Sequence, residues 1–316
     1  MWGSGSLPAA SNKGRADNAW GPRVPGKAWL QFNARMIAPT PDSAGLVNTF
    51  YLIETEDAFV EEAIPAYSAQ LVVVVRGKVT FTYADGSTAQ SSTVFINAPQ
   101  MRSACCVLEG PVLQIGASLT HTSWQRLANL PADRVHDQLI PAADILTPEQ
   151  IASLETAAAA CREGLIAPEA LCQHLTEVIA AGRHPLSADH VAVVEVILRW
   201  LASGFDPALA DLYASVDVSA RQVQRICRRF FGVPPAQVLK RFRALRAAML
   251  LAQPGLSETL HDELMATYFD QAHLIRDIRR YTGRTPSQFR AESLARQLLD
   301  PAGHGDAGAP LNADPA

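Results

Sequence analysis

SARQVQRICRRFFGVPP, residues 219 to 235, and DQAHLIRDIRRYTGRTP, residues 270 to 286, are two copies of one pattern. Counted from Ser219 and Asp270, each copy places an apolar residue at +4 (Val223, Leu274), Arg at +6 (Arg225, Arg276) and an apolar residue at +8 (Cys227, Ile278). An aromatic ring follows at +11 (Phe230, Tyr281) and Gly at +13 (Gly232, Gly283). Ser and Asp are good helix N-caps, and positions +4, +8 and +11 share one helical face. Gly suits a left-handed C-cap, and the Pro beyond it stops one helix or opens the next. The spacing predicts one short helical unit used twice, each copy buried along one side.

The opposite side is basic, with Arg221, Gln224, Arg225, Arg228 and Arg229 in the first copy and Gln271, Arg276, Arg279 and Arg280 in the second. Long Arg and Gln side chains at the start of a short, buried-backed helix suit base edges and phosphates in a major groove. A single copy is equally well read as a solvated face; two copies in phase favour DNA. Residues 219 to 297 hold 14 Lys and Arg against 6 Asp and Glu, so chain totals of 27 and 31 leave 13 against 25 elsewhere. A net charge of −4 thus divides into +8 in this segment and −12 outside it. Such asymmetry marks a nucleic-acid-binding domain joined to something else.

These residues resemble the AraC/XylS transcriptional regulators. The resemblance rests on Ser219 and Arg221 at the start of the first copy, on the run Tyr268-Phe269-Asp270-Gln271-Ala272-His273, and on the ending Gly283, Thr285, Pro286, Phe289 and Arg290. It covers roughly residues 187 to 292 and implies seven helices holding two helix-turn-helix units. It also implies a homodimer that contacts RNA polymerase and acts as an activator. The chain departs from the family at Thr267, where Gly is usual, and at His261, Asp262 and Glu263, where small and apolar residues are usual. A buried polar group costs about 1 kcal/mol or more unless paired, so a shift in the register of that helix is expected and the second unit should be the weaker reader.

The expected base contacts are Arg221, Gln222, Gln224 and Arg225 from the first unit and Gln271, Ala272, His273 and Arg276 from the second. Arg228, Arg229, Arg279 and Arg280 lie later on their helices and are assigned to phosphates, as is Lys240. Between the units, residues 235 to 253 read as one helix with Leu239, Phe242, Leu245, Met249 and Leu250 as its buried stripe, and Lys240, Arg241, Arg243 and Arg246 exposed. Its roughly 19 residues span about 28 Å, close to the ~34 Å between successive major grooves on one face.

Outside this segment, the expected divisions are a disordered tail at 1–28, a β sensor at 29–120, a helical linker at 121–185, the DNA-binding domain at 186–297 and a second tail at 298–316. Apolar residues make up 48% of the chain, enough for two cores. β-Branched and aromatic runs at 47–53, 69–75, 78–83, 92–96 and 111–117 alternate with turn signals, the clearest at Arg76-Gly77 and at 84–87. Strands at this spacing predict a sandwich or small barrel, and the resemblance implies a cupin-like β-barrel sensor, giving an α+β chain overall. For a small-molecule effector the polar candidates are Arg76, Gln90, Asn97, Gln100, Arg102 and Gln114, although a barrel packed solid is an equal physical reading.

No His occurs from residue 29 to 120, so a metal-dependent cupin enzyme is disfavoured, and neither cofactor nor metal is expected. The rival readings are a cupin-type enzyme and a partner-binding module working through residues 148 to 183. Two amphipathic helices there could form a dimer contact or pack on the β domain of the same chain. Five cysteines without CxxC or Cys/His spacing read as buried thiols, with Cys105 and Cys106 on opposite strand faces. With no signal-peptide pattern and no apolar run near ~18 residues, the sequence reads as cytoplasmic and without a membrane partner.

Overall fold

The computed structural model describes residues 32–252 and 256–291. The two expected tails lie outside these residues. Eight strands form one antiparallel sheet: β1 (Phe32–Ile37), β2 (Val47–Thr55), β3 (Phe59–Ile64), β4 (Gln70–Thr82), β5 (Thr88–Gln90), β6 (Val94–Asn97), β7 (Ala104–Leu119) and β8 (Leu139–Pro141). Their order is β1-β2-β7-β4-β6-β8, with β3 added to β7 and β5 to β4. The long strands β4 and β7 pair with each other, and each changes its outer partner along its length. Residues 112–119 of β7 carry β2 while 104–109 carry β3; residues 70–73 of β4 carry β6 while 80–82 carry β5.

The sheet therefore does not close into the expected barrel. Closure needs the first and last strands to pair, but the path ends at β1 on one side and at the three-residue β8 on the other. A second correction concerns Arg76-Gly77, which is a bulge inside β4 rather than a turn. The register slips on both sides of Arg76, and Gly77 has φ +82°. A Cβ at Gly77 would lie 2.5 Å from Val112 Cγ2 and 2.8 Å from the Pro111 carbonyl. Only Gly lets the strands approach so closely. The 84–87 hairpin forms as read, with Tyr83 N–H donating to Ser87 O at 2.9 Å and Asp85 accepting from Ser87 N–H at 2.9 Å.

Alternation along the strands divides the apolar residues between two faces. Phe50, Leu52, Leu71, Val73, Val75, Ile115 and Leu119 point to one core, where α1 (His121–Ala128), α3 (Pro148–Arg162) and α4 (Leu171–Ala180) cover them. Trp124, Leu154, Leu175 and Ile179 supply the helical side. Thr147 and Gln150 cap α3 reciprocally, with bonds of 3.3 and 2.9 Å. The apolar faces of α3 and α4 are thus used within the chain, the alternative to a dimer contact. The other face rolls onto itself around Tyr51, Ile53, Val72, Val74, Phe81, Phe95 and Leu108. The short α2 (Ala132–Val135) precedes β8.

Among the described residues, seven helices follow: α5 (Ala188–Ala202), α6 (Leu209–Ala214), α7 (Ala220–Phe231), α8 (Pro235–Ala252), α9 (Glu258–Ala266), α10 (Gln271–Thr282) and α11 (Pro286–Ala291). One core gathers Val194, Ile197, Trp200, Leu212, Val223, Ile226, Phe230, Phe231 and Phe242 under α7. Another gathers Ala247, Ala248, Leu251, Leu264, Tyr268, Leu274, Ile278 and Phe289 under α10. The single helix α8 contributes to both.

Candidate nucleic-acid interface

The two copies of the pattern become α7 and α10, and their ends match. The Ser219 hydroxyl accepts from Gln222 N–H at 3.3 Å, and the Asp270 carboxylate accepts from His273 N–H at 2.6 Å. Gly232 (φ 84°) and Gly283 (φ 75°) close the helices in the left-handed region. Beyond the second, Thr285 and Pro286 open α11, which buries Phe289 to 1% exposure. The repeated Gly and Pro signals are thus helix boundaries, while the +4, +8 and +11 residues are all buried.

On the outer faces, Arg221, Arg225 and Arg228 of α7 and Gln271, Ala272, Arg276, Arg279 and Arg280 of α10 are exposed. Gln222 is half-buried, and Gln224 is too, its amide donating to Tyr213 Oη at 3.4 Å. Three more of the expected contacts are engaged inside the protein. Arg229 Nη2 donates to Asn129 Oδ1 at 2.7 Å. Lys240 Nζ lies 3.1 Å from Asp277 Oδ1, and His273 Nε2 lies 3.3 Å from Asp277 Oδ2. Asp277, buried to 4% exposure, thereby gathers a cation from α8 and an imidazole from its own helix.

The expectation of exposed charges on α8 needs correction at Arg241 and Arg246, which are 5% and 7% exposed. Arg241 Nη1 donates to the Gln100 carbonyl at 3.1 Å, so this face of α8 is covered by the β sheet domain. Arg246 lies over the Phe205 ring at 4.0 Å. A helical wheel gives the angle of a side chain and not what another domain places over it.

The C-terminal ends of both basic helices rest on the sheet domain. The Arg229 carbonyl at the end of α7 accepts from Gln125 Nε2 at 3.1 Å, and the Phe231 ring meets His121 at 4.1 Å. Burial and the nearby Arg241 push His121 down to about 3, so it sits there neutral. At the end of α10, the Arg280 carbonyl accepts from Ser103 N–H at 3.1 Å and the Tyr281 carbonyl from Ala66 N–H at 2.8 Å. Arg284 donates to the Ala63 carbonyl at 2.9 Å and pairs with the buried Glu62. Bonding at these ends leaves the N-terminal halves of α7 and α10 to meet a partner, the arrangement in which a recognition helix reads base edges.

Residues 212–292 match the family described as a helix-turn-helix domain. That segment contains both capped units and the Gly-Thr-Pro ending. The C-terminal segment is a helix-turn-helix domain. The chain therefore carries the DNA-binding part of a transcription regulator. No curated protein matches the sequence. Among solved structures, it is similar to ToxT from Vibrio cholerae with an unsaturated fatty acid bound, at 9% identity over 76% of this chain and 93% of that one, with a TM-score of 0.44. It is also similar to the AraC-like transcriptional activator CuxR, at 12% identity over 67% and 80% of the two chains, with a TM-score of 0.28. A cupin superfamily protein from Desulfitobacterium hafniense is similar at 13% identity over 29% and 82%, with a TM-score of 0.23.

In the sheet domain, the face built around Tyr51 and Phe95 holds a small cavity of about 30 Å³, lined among others by Met36, Tyr51, Tyr67, Gln70, Phe95 and Gln114. Tyr51 Oη donates to Gln70 Oε1 at 2.9 Å. Gln114, an expected ligand contact, is in this lining, and its Oε1 is buried without a hydrogen-bond partner among the described residues. The other five lie apart from it. Asn97 is buried and accepts from Tyr83 Oη at 3.1 Å. Gln100 is buried beside Arg241. Arg102 and Gln90 are exposed. Arg76 lines an open cleft of about 510 Å³ with Ser92, Thr93 and Arg162, and pairs with Glu54 and Glu56.

Tyr51, Tyr67 and Gln70 were missed by the sequence reading. For Tyr51 and Gln70 the signal available was their place on the same strand face as Ile53 and as Val72 and Val74; Tyr67, in the loop between β3 and β4, offered none. All five cysteines are free and buried; burial pushes Cys105 up to about 12, which disfavours the reactive thiolate. Among the described residues, no group of three or more His, Cys, Asp or Glu could hold a metal ion, and no helix is long and apolar enough to cross a membrane.

Proposed function

We propose that this protein regulates transcription by reading DNA with α7 and α10 together, and that its sheet domain is a sensor for a small-molecule effector. The observation that carries the reading is the repetition of one capped helix with a buried back and an exposed face of Arg and Gln. Arg221, Gln222, Gln224 and Arg225, with Gln271, Ala272, His273 and Arg276, contact bases. Arg228, Arg229, Arg279 and Arg280 contact phosphates, which position the protein without selecting sequence. Lys240 and Arg229 join them by exchanging Asp277 and Asn129 for phosphate oxygens. The regulator works in the cytoplasm as a homodimeric activator in contact with RNA polymerase.

Gln114 and the Tyr51–Gln70 pair orient the effector. The small cavity widens on binding, because ligand sites of this kind occupy about 300 to 1,000 Å³. The helix-end bonds at Ala66, Ser103 and Gln125 provide the route by which a change in the sheet reaches both readers.

The test is selection of bound sequences from a random DNA pool by the full-length protein at physiological salt. The expected result is a motif of two patches about one helical turn apart, ~34 Å. Failure to recover any motif would reduce the basic faces to a solvated or nonspecific surface.

A further inference from the structure

The two units differ at the residue just before each cap. In capped helices this residue commonly packs against the fourth helical residue, fixing the entry of the chain. In the first unit it does so: Val218 packs on the same core as Val223. In the second unit the corresponding residue is Phe269, and it is 95% exposed. Leu274 finds its apolar partners elsewhere, in the core with Tyr268. The chain therefore turns Tyr268 inward and leaves a full phenyl ring in water at the leading end of a recognition helix.

Exposed large apolar residues are few among the described residues, the others being Phe59 and Leu165, at 49% and 73% exposure. Phe269 precedes the exposed Gln271 and Ala272. The helix that follows it exposes Arg276 and Arg279, so the partner that meets this helix is anionic and must also offer Phe269 an apolar surface. In the major groove of DNA that surface is the C5-methyl group of thymine. We propose that Phe269 is a specificity-determining residue that packs on a thymine methyl in the half-site read by α10. Ala272, one helical turn's start away, extends the same apolar contact. This assignment rests on the DNA-reading function proposed above.

The experiment uses the full-length protein and the duplex recovered by selection. Each thymine of the half-site read by α10 is replaced in turn by uracil, which lacks only the methyl group. For the unaltered protein, uracil at one or two positions should weaken binding about fourfold, the worth of one buried methyl-sized group. Phe269→Ala should weaken binding to the thymine duplex by about tenfold, in line with loss of a buried aromatic side chain, and should be indifferent to uracil at those positions. Because the ring is exposed, the variant should keep the melting temperature of the unaltered protein. Equal uracil profiles for the two proteins, or unchanged affinity of Phe269→Ala, would overturn the assignment while leaving DNA reading intact. Loss of affinity for random and selected DNA alike would overturn it too, since the ring would then touch only the backbone. If the unaltered protein selects no motif, the underlying reading fails and this one with it.

Discussion

The two helix-turn-helix units present similar outer faces on unequal supports. Beneath α7 lie Trp200, Phe230, Phe231 and Phe242, with α5 and α6 as backing. Beneath α10, α8 contributes the small Ala247, Ala248 and Ala252 beside Met249 and Leu251, with Tyr268 and Phe289 as the aromatic residues, and the backing helix α9 buries only Leu264. His261, Asp262 and Glu263 are exposed, so α9 needs no shift in register to accommodate them; it simply contributes little. Thr267, in place of the expected Gly, ends α9 in an ordinary helical conformation, its hydroxyl donating to Leu264 O at 2.7 Å. A recognition surface can thus be copied without copying what holds it still.

Removing the core beneath each reader gives the largest test of that difference. Phe230→Ala should cost about 3 to 5 kcal/mol, whereas Leu264→Ala should fall near the lower end of the ~2 to 5 range, because exposed α9 can settle into the space. Denaturant unfolding measures both, and equal losses would remove the asymmetry.

Next comes the seam under the first reader, where His121 packs on Phe231. Its folded value of about 3 lies below the ordinary 6.5. Between those values the unfolded chain holds a proton that the folded chain does not, so stability is full above pH 6.5 and falls as the pH drops toward 3. The slope is about 1.4 kcal/mol per pH unit. Unfolding measured at stepped pH should show it, and His121→Gln should lose that part of the slope.

At the reading faces, Arg225→Ala should cost about 1 to 3 kcal/mol and relax specificity at one base pair, while Arg276→Ala should cost less because α10 is held less firmly. Equal losses in a mobility-shift titration would count against the ranking. Smallest are the C-caps. Gly232→Ala and Gly283→Ala each place a side chain in the left-handed region, at roughly 1 to 2 kcal/mol. The new Cβ at 232 would meet the flexible Met101 Cε at 2.6 Å, and the one at 283 the Ala63 Cβ at 2.6 Å. A methionine end can swing aside and an alanine cannot, so the Gly283 variant should melt lower.

What was legible in the sequence was local. Ser219, Asp270, Gly232 and Gly283 announce helix ends through backbone chemistry that needs no partner, and Thr147-Pro148 does the same for α3. The 84–87 hairpin is likewise written in its own residues. The short strands β1, β3 and β8 were not legible, since their pairing depends on distant segments of β2, β7 and β6. Arg76-Gly77 misled because Gly with positive φ serves a turn and a bulge equally well. The burial of Arg241 and Arg246, and the engagement of Lys240 by Asp277, depend on which surface lies opposite. The exposure of Phe269 was not legible either, since an apolar residue before a helix cap ordinarily packs on the fourth helical residue.

The bonds from Ala66, Ser103 and Gln125 to the ends of the two readers bear on how such proteins can be recombined. A chimera joined within residues 181–187 would keep each half intact in sequence and still separate these donors from their acceptors. To graft another N-terminal domain onto this one, the designer would have to carry over the 62–66 and 99–103 segments and the α1–α2 corner along with the linker. The exchangeable unit is the DNA-binding domain plus the surface it rests on.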